Sequence, residues 1–116
     1  MYTVTGNWYV REGCVEEAHR ALGELAEKVK SEVGTLVYLV HEQATGLPPT
    51  APRTIAFIEI YTNELAFDAH IGGTVFKTFM ATHKDLFVAD PQGNPFIEFA
   101  SLDRLAGFVR PGAVTP

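Results

Sequence analysis

The chain has 116 residues, 47% of them hydrophobic, and a formal net charge of −5, which suits one domain with its own core and leaves no apolar run near the ~20 residues that span a bilayer. Its nine lysines and arginines are scattered, so no basic stripe offers itself to nucleic acid. Cys14 is the single cysteine and the opening MYTVTGNWYVREG lacks the basic-then-apolar order of a secretory leader, so a cytoplasmic protein without an internal disulfide is expected.

Tyr2 to Val10 is rich in β-branched and aromatic residues and predicts a first strand, ended by Arg11-Glu12-Gly13. Val15, Ala18, Leu22, Leu25 and Val29 then recur at spacings of three and four, the pattern of an amphipathic helix. Its outer face pairs Glu16 with Arg20 and Glu24 with Lys28, continues to Glu32, and meets Gly34 where a helix C-terminal glycine belongs. Thr35 to Gln43 alternates and predicts the second strand. Ala44 to Arg53 carries three prolines and a glycine, so it is expected to be a stiff connection and not a strand.

Thr54 to Thr62 is the third strand, with Phe57, Glu59 and Tyr61 on one face and Ile58 and Ile60 on the other. Asn63 is placed to cap a helix from Glu64 to Ile71 and Thr74 to cap another that runs to about Lys84. Asp90 to Pro95 is a turn, and Phe96 to Leu102 a fourth strand. Asp103 to Pro116 is a tail whose Leu105, Phe108 and Val109 favour packing across a neighbour. The order β-α-β-β-α-β is the ferredoxin-like plan, an α+β domain over residues 1–102 with a tail over 103–116. Both helices on one sheet face leave the other bare, yet the second and third strands are apolar on both faces. Packing that face against a second copy, in a homodimer, is the expected remedy.

Glu59-Ile60-Tyr61, Ala66-Phe67-Asp68-Ala69-His70 and Val75-Phe76-Lys77 together resemble the antibiotic biosynthesis monooxygenase family, over nearly the whole chain to about Leu102. Glu32-Val33-Gly34 is similar to the family's acidic-x-glycine helix exit, and Tyr61 stands where the family usually has Trp. The resemblance implies a small dimeric α+β barrel. It implies one of three activities: cofactor-free oxygenation of polycyclic phenols, quinol oxidation, or haem degradation. The haem-degrading branch uses an Asn on the first strand, a Trp on the short helix and a haem-ligating His on the next. Asn7 answers to the first, but His70 and Met80 occupy the other two places and His83 lies one turn further on. Haem degradation is therefore not expected.

The resemblance and the residues together imply a site. His70 is the candidate proton acceptor, because the ordinary pKa of an imidazole, about 6.5, matches neutral pH. Glu59 is its candidate partner or a base itself, Asn7 a polariser of a substrate carbonyl, and Tyr61 a hydrogen-bond donor. Phe76, Phe79, Met80 and His83, at i, i+3, i+4 and i+7, would wall a pocket for a small aromatic substrate. Each has a plainer reading: His70 as a helix-end residue, Glu59 paired with a cation, Asn7 as a satisfied polar group, and the stripe as core. The four histidines show no short paired spacing, so no metal site is expected. The function expected is a monooxygenase or oxidase of an electron-rich phenol or hydroquinone that uses no cofactor. A non-catalytic barrel that binds a small apolar ligand is the alternative.

Overall fold

Trp8 is the centre around which the layers of this protein pack. The computed structural model describes residues 1–46 and 53–113; most of the proline-rich connection lies outside them. Four strands, β1 (Tyr2–Tyr9), β2 (Thr35–Glu42), β3 (Thr54–Tyr61) and β4 (Ile97–Leu102), form one antiparallel sheet in the order β2-β3-β1-β4. Helices α1 (Val15–Val29), α2 (Glu64–Gly72) and α3 (Thr74–His83) complete the ferredoxin-like α+β plan. A short 3₁₀ turn, Lys84–Leu86, follows α3.

The register decides which side chains can meet. Val4 pairs with Glu59, Gly6 with Phe57 and Trp8 with Ile55, while Tyr38 of β2 pairs with Glu59 and Phe99 of β4 with Gly6. Opposed residues share a face, so these side chains all point toward the helices. Trp8 is 5% exposed and has Phe57, Phe87 and Phe79 around its ring, at centroid distances of 5.0, 5.0 and 5.9 Å. The α1 residues Ala18, Leu22, Leu25 and Val29 close the core from above, as their spacing predicts.

Four details differ from the sequence reading. β1 stops at Tyr9, and Val10 forms a single bridge to Phe87 while its N–H donates to Arg53 O. The 3₁₀ turn buries Leu86 and Phe87, a contribution to the core that periodicity in α3 does not announce. Gly73, not Thr74, holds the N-cap position of α3, and no side chain caps that end. The chain reverses so tightly there that a Cβ on Gly73 would lie 2.7 Å from Ala69 O. Gly34 is likewise not a left-handed helix cap, since α1 ends at Val29 with Lys30 as its cap. Its missing Cβ instead admits Ala66 of α2, whose own Cβ would sit 2.7 Å away.

Among the described residues no helix covers the second sheet face. Thr3, Thr5, Asn7 and Tyr9 of β1 share it with Val37, Leu39, Ile58, Ile60 and Leu102; Ile58 and Leu102 are more than two-fifths exposed. Residues 103–113 leave β4 exposed throughout, and Leu105 is 99% exposed. Among the described residues no helix is long and apolar enough to cross a membrane.

Candidate functional site

Helix α2 is short and anchored at its start, where the Asn63 side chain accepts from the Ala66 N–H at 2.9 Å. One turn apart on its inner face, Phe67 and His70 are its two buried side chains. His70 is only 3% exposed, a position imidazole tolerates when its polar atoms are paired. Its Nδ1 lies 2.6 Å from Glu32 Oε1, on the turn between α1 and β2. An ionised carboxylate only accepts, so Nδ1–H donates to Glu32 and Nε2 keeps its lone pair. Nε2 has no hydrogen bond within the described residues.

Three aromatic rings enclose the imidazole: Tyr38 and Phe76 at centroid distances of 5.4 Å and Tyr61 at 5.7 Å. Beneath it, β3 presents Glu59, 8% exposed, whose Oε1 accepts a hydrogen bond from the buried Tyr61 hydroxyl. Burial pushes the Glu59 carboxyl above its ordinary pKa, opposed by the Tyr61 hydroxyl and by the nearby His70. The Tyr61 phenol is raised by burial and by its bond to Glu59, and the Tyr38 phenol by burial and by the charges of Glu59 and Glu32. Both phenols therefore keep their protons, and Tyr61 donates its own to Glu59. The site pairs a carboxylate-oriented imidazole with a reluctant carboxylate, in surroundings poor in water.

His70, Glu59, Tyr38 and Phe76 border a cavity of about 320 Å³ between the sheet and α2–α3, with Tyr61 and Glu32 behind them. Trp8, Phe57, Phe67, Phe76 and Phe99 supply its apolar walls, and Glu59, His70 and Tyr38 its polar ones. A larger groove, about 730 Å³, runs between α1 and the edge of β2 beside His19 and Glu42. There Glu42 is paired with His19 and Arg53, and the Arg53 hydrogen bond holds its carboxyl below the usual range. Such a paired surface carboxylate is structural, so the chemistry belongs to the smaller cavity.

Of the residues singled out from the sequence, His70, Glu59, Tyr61 and Phe76 come together. The others do not join them. Asn7 lies opposite Ala56 and Glu98 on the helix-free face, across the sheet from His70. Phe79 points into the core against Trp8 and Phe87, and Met80 packs against that same core. His83 meets Phe79 in a tilted ring contact at 5.1 Å and borders a separate cleft between α1 and α3. Two groups at the site were not foreseen in a chemical role, Glu32 and Tyr38. Glu32 had a signal, the acidic-x-glycine helix exit, and Tyr38 had the alternation that puts it on the face of Glu59.

Comparison with known proteins agrees with this architecture. Residues 1–82 match the family model for antibiotic biosynthesis monooxygenases. Among solved structures, Rv0793 from Mycobacterium tuberculosis is similar at 18% identity, with 91% of this chain and 96% of that one covered and a TM-score of 0.72. PA3566 from Pseudomonas aeruginosa is similar at 20% identity, with 90% and 94% covered and a TM-score of 0.70. A structure described as an antibiotic biosynthesis monooxygenase reaches a TM-score of 0.74 at 18% identity, covering 91% of this chain and all of its own. At these identities the likeness is one of fold. No curated protein matches the chain.

Proposed function

The chain belongs to the antibiotic biosynthesis monooxygenase family, and from that premise we propose that it oxygenates an electron-rich phenol or hydroquinone without a cofactor. The observation that carries this reading is the 2.6 Å contact that fixes the His70 ring against Glu32 at the wall of an aromatic cavity. His70 Nε2 takes the phenolic proton, and Glu32 holds the tautomer and offsets the imidazolium charge that forms. The electron-rich anion passes one electron to dioxygen, and the two radicals combine at a ring C–H carbon. The peroxide anion takes the proton back from His70 and loses water, so one oxygen atom becomes a quinone carbonyl and the other leaves as water. Glu59, held by the Tyr61 hydroxyl, orients the ring substituents, and Phe76 and Trp8 wall the ring. The chain's own task is to bind, orient, exclude water and move one proton.

The working unit in this reading is a cytoplasmic homodimer joined through the helix-free sheet faces, with residues 103–113 laid across the partner. A face with Ile58 and Leu102 more than two-fifths exposed, and a tail with Leu105 and Phe108 bare, support that assembly. Proteins of this family commonly form dimers.

Oxygen uptake with a 1,4-hydroquinone of the naphthalene series tests the activity. His70→Ala should lower kcat at least 10²-fold, the usual scale for a positioned base, and His70→Gln should not restore it. If both variants turn over like the parent, or the parent consumes no oxygen although it binds the ring, the protein is a ligand-binding barrel and not an oxygenase.

A further inference from the structure

Charge around the cavity is one-sided. Glu59 borders it and Glu32 stands behind His70, whereas no lysine or arginine is among the described residues that line it. Residues 47–52 and 114–116 carry no charged side chain in sequence either. The one basic group, His70, already faces a carboxylate at 2.6 Å, so any positive charge it takes up is compensated within the protein. An anion placed in this cavity would lose its hydration shell and gain no cation in return.

Hydrogen-bonding capacity is mixed, with the Trp8 indole N–H and the Tyr38 hydroxyl as neutral donors among the lining groups. His70 Nε2 and Glu59 Oε2 make no hydrogen bond with the described residues, so the cavity offers acceptors to ligand O–H groups. Its volume, about 320 Å³, is at the low end of the roughly 300–1,000 Å³ typical of small-molecule sites. We propose that this cavity selects uncharged hydroxyarenes of one or two fused rings and rejects the same rings once they carry a carboxylate, sulfonate or phosphate. This selection rests on the functional reading above and narrows its substrate class.

The probes are 6-hydroxy-2-naphthamide and 6-hydroxy-2-naphthoate, which share size and hydroxyl and differ by one charge at pH 7.5. Trp8 is the chain's single tryptophan and borders the cavity, so its one indole N–H resonance reports occupancy of this site and no other. The amide should shift that resonance with a Kd at least tenfold below that of the carboxylate, and Glu59→Gln should narrow the ratio. Equal affinities, or tighter binding of the carboxylate, overturn the selection while leaving the oxygenase reading in place. They would mean that cations reach the cavity from elsewhere, as Arg104 or Arg110 of a second copy's tail would allow. A shift by neither probe at millimolar concentration overturns both readings, and selective binding of the amide without any oxygen uptake on hydroquinone overturns the oxygenase reading alone.

Discussion

Glu32→Gln is the substitution that separates a catalytic His70 from a merely buried one. The Gln carbonyl still accepts from Nδ1–H, so ring position and tautomer survive, and what is lost is a negative charge beside an imidazolium that exists only after proton transfer. For unit charges about 4 Å apart at an effective dielectric near 20, that attraction is on the order of 4 kcal/mol. Glu32 keeps one-fifth of its side chain in solvent while His70 keeps 3%, so about half of this is expected to be screened away. About 2 kcal/mol remains, which is roughly 30-fold in rate. Because the charge matters after the proton has moved, kcat should fall and KM should stay within about twofold. Stopped-flow oxygen consumption across a range of hydroquinone concentrations measures both constants, with thermal melting as a control for folding. An unchanged kcat, or an effect confined to KM, would refute the role given to Glu32.

Three further outcomes are expected. The folded-state pKa of Glu59 lies above its unfolded value because of burial, so the native state binds that proton more tightly and stability falls as pH rises through the folded pKa. Glu59→Gln should therefore raise Tm relative to the parent at pH 8 and show less of this gain at pH 4; parallel Tm–pH curves would contradict it. Haemin titration should give no sharp Soret change at stoichiometric protein, since Met80 packs against the core and a thioether alone is a weaker anchor for ferric iron than imidazole. A tight complex abolished by His83→Ala would overturn that expectation. Sedimentation at micromolar concentration should give about twice the 12.7 kDa chain mass, the homodimer that covering the bare sheet face requires, and a lone monomer would remove the sheet-to-sheet assembly.

Much of the fold was legible because burial imposes a period. Ala18, Leu22, Leu25 and Val29 could form only one helical stripe, and Phe57, Glu59 and Tyr61 had to share a strand face. Parity in β1 was harder to read. Trp8 and Tyr9 are both aromatic, so either could have been the inward residue, and Asn7 follows Tyr9 outward once Trp8 points in. The wall of the cavity failed for a related reason. Phe76, Phe79 and Met80 read as one stripe, but at 100° per residue Phe76 and Phe79 are offset by some 60° around the helix. That offset is enough for Phe76 to meet His70 while Phe79 meets Phe87.

The Glu32–His70 pair joins residues 38 apart, a distance no local pattern spans. What brings them together is a backbone contact. Gly34 lets Ala66 approach the α1–β2 turn, and its carbonyl accepts the Thr62 N–H at the end of β3. Those two contacts lock the start of α2 against the turn that carries Glu32. His70 is one helical turn beyond Ala66, and so falls on the side chain of Glu32 by construction. The acidic-x-glycine sequence is thus a single device with two parts, a glycine that sets the distance between α2 and the turn and a carboxylate that uses it. Sequence pattern exposed the glycine as a mark of the fold; only the packing shows that the acid two residues earlier faces the imidazole.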